Sequence, residues 1–517
     1  MDLAHLLHRS AMQFPERPLW VTPETSIPYA EAARRANRIA TSLLQGGQQR
    51  DRVAILSVNR FEHFEMFLAA LNAGMAATPF NPKLHVDELS FMIEDSTPAF
   101  FVFSPEFAVT VKTLRARHTC VQHWICMDPV AGFEYYGNLM EGVGDARPDL
   151  LIDPDEVAWL FYTSGTTGKP KGCMETHRNL VNMVTGRLLS ILSDVDETDR
   201  IIHFAPMAHA TTSVGLSHLA RGAAQIFPGL EKFDPPKVLE AVERFGATSS
   251  FMAPTMVQML LNCPDLESYN VKTLKNILCG GGPLYAEVLR RAIEVFGPII
   301  GQGYGQSEAP SGVCGMHKSE YDLNSPDGLG KLGSVGRESL GVRVRIVDEH
   351  GKEVAPNVAG EITVRGDIVF PGYWRRKEAT DEVLKNGWLH TGDVGYRDDR
   401  GYIFITDRVK DMIISGGSNI YPREVEEVLL QHEAIAEACV VGVPDGVWGE
   451  AVQAVVVLRE NAAISPDDVI EFCRSRLASY KKPKAVDFVD HLPKNAYGKI
   501  LKKEVKARYW QSATGAI

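Results

Sequence analysis

Short, wholly apolar runs alternate along most of the chain with longer stretches whose apolar positions recur every three or four residues. RVAIL at 52–56 is a run of the first kind, 60–73 is a stretch of the second, and 76–79 is another short run. Further bursts fall at 100–103, 201–204, 249–252 and 277–279, separated by helical patterns. A strand buried on both faces reads as a continuous apolar run, whereas a helix on a sheet keeps a stripe of period 3.6. The alternation predicts α/β layers with largely parallel sheets.

From about Gly333 the period changes to two. VRVRIVD, GEITVRG and GYIFITDR alternate apolar and polar positions between Gly-bounded turns, which predicts a smaller antiparallel or mixed sheet forming a β-barrel-like subdomain. Beyond Asp407 a third texture begins. Residues 422–432 predict a helix with Pro422 in its first turn, 436–443 and 453–457 predict strands, and 466–477 predict a second helix. The expected division is a large N-terminal domain over 1–407, with α/β-layered sheets and the barrel-like subdomain, and a small α+β C-terminal domain over 408–517.

Length agrees, since 517 residues exceed what one ordinary core holds. A net charge of -11 argues against non-specific nucleic-acid binding, which needs a basic face. Eight cysteines form no CxxC pair, so zinc spacing is absent and a reducing compartment is expected. The N-terminus lacks a signal-peptide core, no run approaches the ~20 apolar residues of a membrane helix, and SATGAI at the C-terminus is no sorting signal. A cytoplasmic protein without a membrane span is expected.

The densest chemistry lies in YTSGTTGKPKG at 162–172, directly after an apolar strand pattern. Its glycines let the backbone approach an anion. Hydroxyls from Thr163, Ser164, Thr166 and Thr167 can donate, Gly165 and Gly168 leave room, and Lys169 and Lys171 bring positive charge. Such a loop can wrap the outer phosphates of ATP. It is not a Walker A loop, because Pro170 follows the first lysine where that motif continues into a helix.

This loop resembles the signature of the adenylate-forming superfamily, which includes acyl-CoA synthetases, aryl-CoA ligases, luciferases and peptide-synthetase adenylation domains. Further segments resemble that family's motifs in order over nearly the whole chain, closest to the acyl- and aryl-CoA ligases. The resemblance implies that His209 of PMAH lies beside the acyl site, that Gly281, Gly282 and Pro283 wall the adenine, and that GYGQSE at 303–308 binds the nucleotide. In that segment Gly303, Gly305 and Gln306 belong to the pocket, Tyr304 stacks on adenine, Ser307 stands where Thr is commoner and contacts the α-phosphate, and Glu308 holds Mg²⁺. Asp393 of HTGD would bind the ribose, with Arg408 as a second contact. Lys410 corresponds to a hinge about which a mobile C-terminal domain turns, Gly416 and Gly417 to the glycine pair lining the pantetheine tunnel, and Lys499 of PKNAYGK to the catalytic lysine.

The implied reaction is a two-step one. A carboxylic acid, MgATP and coenzyme A are the partners, with no nucleic acid and with a homodimer allowed. The acid becomes an acyl-AMP with loss of pyrophosphate, and the acyl group then passes to the CoA thiol. The stretches expected to line the acyl pocket (210–215, 251–255, 278–282 and 306–311) are mostly small or neutral, with no lysine or arginine for a second carboxylate. They predict a roomy apolar pocket for an aromatic, medium-chain or bulky alicyclic acid. A carrier-loading adenylation protein, a luciferase-like oxygenase and a catalytically inactive nucleotide sensor would share these motifs. The chain's end soon after Lys499 speaks against a fused carrier domain.

Overall fold

In the computed structural model the described residues are 2–163, 169–415, 418–445, 447–494 and 500–514. Among them the strands form four sheets, of seven, nine, five and five strands.

The seven-stranded sheet centres on Arg52–Leu56, flanked by Ala76–Phe80 and Phe100–Phe103. These pair in parallel, as expected of strands whose side chains are buried on both faces. Phe61–Asn72 connects the first two as a helix, crossing the sheet face in the way parallel pairing requires. Val157–Thr163 joins in parallel beside Ala76–Phe80, and Lys171–Thr176 closes the edge antiparallel. The intervening loop therefore connects two antiparallel strands. The helix His177–Ser190 begins only afterwards, on a capping box in which Thr176 and Asn179 each satisfy the other's backbone N–H. This is the local reason that the loop is not of Walker A type.

The nine-stranded sheet is parallel through its centre, with Arg200–Ile202, Ser249–Met252, Asn276–Cys279 and Ile300–Gln306 in register. Ala309–Met316 turns back antiparallel on Ile300–Gln306. The two sheets enclose the main apolar core, where Trp20, Phe64, Phe67 and Trp159 pack edge to face or tilted.

The period-two region forms a five-stranded antiparallel half-barrel from Val342–Val347, Gly360–Gly366, Leu384–Lys385, Trp388–Arg397 and Ile403–Arg408. The C-terminal part has its own sheet, dominated by the hairpin Ile435–Asp445 with Gly449–Leu458. Its own core, around Val425, Leu429, Val440, Ala454 and Val456, is closed by helices Pro422–Leu429 and Pro466–Arg474. Among the described residues no helix is long and apolar enough to cross a membrane.

Candidate active site

Among the described residues, Thr163, Gly281 to Pro283 and Gly303 to Gln306 lie at or just beyond the ends of parallel strands, the usual place for ligands in open α/β sheets. Thr163 is the last residue of its strand and pairs with Lys171 across the hairpin. Lys169 and Lys171 face different neighbours: the Lys169 amine lies 5.1 Å over the Phe91 ring, and that of Lys171 lies 5.0 Å over the Tyr373 ring. Ser164, Gly165, Thr166, Thr167 and Gly168 lie outside the described residues, as do Gly416, Gly417 and Lys499.

Gly280 to Pro283 follow the strand Asn276–Cys279. A Cβ on Gly280 would stand 3.0 Å from the Gly303 carbonyl oxygen, so glycine here lets two neighbouring strands close up at the site. Gly281 adopts φ +81°, which side-chain-bearing residues resist.

Gly303, Tyr304, Gly305 and Gln306 complete the next strand, and Ser307 and Glu308 form the turn after it. The Tyr304 hydroxyl donates to Oδ2 of Asp393 at 2.7 Å. The Gln306 amide reaches the Thr391 carbonyl at 3.5 Å. Asp393 is buried, and its second oxygen lies 3.0 Å from Nε of Arg408, its cross-strand partner in the half-barrel. Burial is the largest influence and opposes the Arg408 charge, but Asp393 together with Tyr304, Asp411 and Glu308 outweighs it and holds the guanidinium above its ordinary pKa. One carboxylate thus ties the proposed adenine-side strand to the half-barrel.

Glu308 accepts a 2.5 Å hydrogen bond from the Tyr373 hydroxyl on Oε1, and its carbonyl accepts from the Phe370 N–H at 2.9 Å. Backbone bonds from Met174 N–H to the Gly372 carbonyl and from Trp374 N–H to the Gly172 carbonyl dock the Tyr373 segment onto Lys171–Thr176. Lys171, Tyr373 and Glu308 consequently form one group at the start of the strand Lys171–Thr176. Tyr373 was not among the residues the motifs pointed to.

His209 stands at the N-cap position of the helix Ala210–Leu219 and meets the Phe161 ring edge-on at 5.0 Å, beside the strand that leads into the loop. Desolvation pulls its pKa down to about 3, so the imidazole is neutral. On the expected acyl side, Val214, Phe251 and Leu278 share one apolar cluster with Ile201 and Ala205. Sequence reading foresaw no buried cation here. The structure adds Arg187, fully buried, which braces the helix from behind through Nη1 to the Ser213 carbonyl at 2.6 Å and to Ser217 Oγ at 3.2 Å.

Arg408 is followed closely by Lys410, whose amine is pushed below its ordinary pKa by desolvation and by Arg408. Beyond it, buried charges join the two parts of the chain. Lys502 Nζ lies 3.0 Å from Glu426 Oε1 and 3.4 Å from Asp407 Oδ2. Glu426 accepts at Oε2 from the Tyr285 hydroxyl at 2.9 Å. Arg423 donates to the Leu284 carbonyl at 3.2 Å.

The sequence profile of the AMP-binding enzyme family matches residues 7–374, and that of the AMP-binding enzyme C-terminal domain matches residues 424–499. A feruloyl-CoA synthase from an Amycolatopsis species is 39% identical over 490 residues, covering 94% of each chain. An indoleacetate–CoA ligase from Aromatoleum aromaticum is 34% identical and covers 98% of each. The ATP-bound crystal structure of MatB from Rhodopseudomonas palustris superposes with a TM-score of 0.88 at 31% identity, covering 98% of this chain and 99% of that one.

Proposed function

Because the chain belongs to the AMP-binding enzyme family, within the adenylate-forming superfamily, we propose that it is an ATP-dependent acid–CoA ligase that works through an acyl-AMP. The carboxylate of the acid attacks the α-phosphorus of ATP and pyrophosphate leaves. The CoA thiolate then attacks the acyl carbonyl and AMP leaves. The observation that carries this reading is that one segment of the nine-stranded sheet makes both contacts, Tyr304 to Asp393 of the half-barrel and Glu308 to Tyr373, whose ring lies under Lys171 of the Thr163–Lys171 strand pair.

The roles follow from the chemistry of each group. Lys169, Lys171 and the loop 164–168 hold the outer phosphates. Asp393 receives the ribose hydroxyls, oriented by Arg408 and Tyr304. Glu308 fits a magnesium ion: it offers a hard carboxylate oxygen, with Oε1 held by the Tyr373 hydroxyl. Bound there with the nucleotide, magnesium would offset charge at the phosphates. Lys499 brings its ammonium to the carboxylate and the α-phosphate together, which favours their encounter. His209, neutral and packed on Phe161, orients near the acyl carbonyl without adding charge.

The C-terminal domain, residues 408–517, turns about Lys410 between the two half-reactions, presenting Lys499 for the first and Gly416 and Gly417 for the second. The cytoplasm suits eight unpaired cysteines, of which seven are buried. The apolar cluster around Phe251 and Leu278, together with the aryl acids named for two relatives, favours an aromatic, medium-chain or alicyclic acid. A screen for AMP release with ATP and CoA tests this. Hydroxycinnamic, indole, octanoic and alicyclic acids should include substrates, and acetate and malonate should be poor. AMP release from acetate alone, or from no acid at all, would overturn the substrate class or the reaction respectively.

A further inference from the structure

Glu308 commits only one of its carboxylate oxygens within the protein. Oε1 takes the Tyr373 hydroxyl at 2.5 Å, whereas Oε2 has no hydrogen-bond or ion-pair partner among the described residues. A carboxylate on a turn can rotate about its last torsion, so a donor on one oxygen decides where the other points.

Tyr373 is itself held from several sides. Its N–H donates to Thr380 Oγ1 at 2.9 Å, its ring meets Phe370 edge-on at 4.9 Å, and its backbone bridges to Cys173. Gly372, at φ +144°, allows the turn; a Cβ there would fall 2.6 Å from the Thr380 side chain. The Lys171 ammonium rests on the ring face that this packing leaves. The hydroxyl therefore arrives at Glu308 on a rigid mount, and Glu308 borrows that rigidity.

We propose that Tyr373 is a positioning residue for the metal–nucleotide complex: its hydroxyl fixes one oxygen of Glu308 so that the other is presented to the cation. The inference rests on the reading of Glu308 as the metal-binding carboxylate. Partners that orient a ligating carboxylate typically change metal affinity about 10- to 100-fold when removed. A plain structural tie between the turn at Glu308 and the segment around Tyr373 would instead affect folding, or nucleotide binding with and without metal alike.

Tyr373→Phe keeps the ring, the Phe370 contact and the Lys171 contact while deleting the hydroxyl. Binding of ATP to the full chain is measured calorimetrically with Mn²⁺ as the metal probe and again in EDTA, alongside the thermal midpoint. The expected result is that Tyr373→Phe weakens Mn²⁺-dependent binding about tenfold or more, leaves metal-free binding and the midpoint near those of the wild type, and adds nothing further to Glu308→Gln. Wild-type Mn²⁺-dependent binding in Tyr373→Phe, while Glu308→Gln loses it, would overturn the role of Tyr373 alone. An equal loss with and without metal in Tyr373→Phe would also overturn it. Unchanged metal dependence in Glu308→Gln would remove the reading of Glu308 and the inference together.

Discussion

Nε of Arg408 lies 3.0 Å from Oδ1 of Asp393, across adjacent strands of the half-barrel. Asp393 is buried and Arg408 partly so, and the same carboxylate receives the Tyr304 hydroxyl on its other oxygen. This places a fixed carboxylate acceptor at the junction of the nine-stranded sheet and the half-barrel, where a ribose diol can be met.

Replacing that acceptor should weaken the nucleotide and blunt its sugar selectivity. Asp393→Asn is expected to reduce ATP affinity about 10- to 100-fold, the size of one or two charge-assisted hydrogen bonds. The wild type should prefer ATP to its 2′-deoxy and 3′-deoxy analogues, and the variant should bind all three alike. Calorimetric titration of the three nucleotides checks this; retained preference in the variant would remove Asp393 from the ribose.

The buried link through Lys502 should matter to stability out of proportion to one side chain. Lys502→Met leaves Asp407 and Glu426 as buried carboxylates without their shared cation, a change that costs about 3–5 kcal/mol for a broken buried pair. Tyr285→Phe, which removes one hydrogen bond to Glu426, should cost about 1 kcal/mol. Urea titration with a fluorescence readout measures both. Equal stability of Lys502→Met and the wild type would show that the link does not hold the two parts together.

Four fully buried histidines set an acid limit. Burial lowers the pKa of His63 to about 3 and those of His177, His203 and His218 to about 4. Above the ordinary value of about 6.5 both folded and unfolded chains hold them neutral, so they add no pH dependence there. Below it the unfolded chain takes up protons that the folded chain refuses, and stability falls as pH drops towards 4. The four together should cost about 4 kcal/mol between pH 6.5 and 5.5. The thermal midpoint measured from pH 8 to 5 should be level above about pH 7 and fall below 6.5; a level profile down to pH 5 would contradict the burial of these neutral rings.

Much of the scaffold was legible because its strands are short, buried on both faces and sharply bounded. Arg52–Leu56, Phe100–Phe103 and Ser249–Met252 stand where the apolar runs placed them. Boundaries moved where tertiary pairing overrode local pattern: the strands expected at 436–443 and 453–457 extend into the hairpin Ile435–Asp445 and Gly449–Leu458, and the helix expected over 422–432 ends at Leu429. The strand expected at 201–204 is Arg200–Ile202. The described parts of the glycine and threonine motifs lie at strand ends, where close backbone approach leaves a local signature in the sequence. Tyr373 on Glu308, Arg187 behind Ser213 and Lys502 between Asp407 and Glu426 left none, since each contact joins residues far apart in the chain whose own neighbourhoods read as ordinary helix, turn or surface.

The most direct test of the account follows oxygen through one turnover. A substrate acid found in the AMP-release screen is labelled with oxygen-18 in its carboxyl group and incubated with enzyme, ATP and CoA, and the nucleotide product is weighed by mass spectrometry. Carboxylate attack at the α-phosphorus predicts AMP carrying one labelled oxygen, with unlabelled pyrophosphate and the remaining label in the acyl-CoA. Unlabelled AMP, or ADP with label in released phosphate, would contradict an acyl-AMP route.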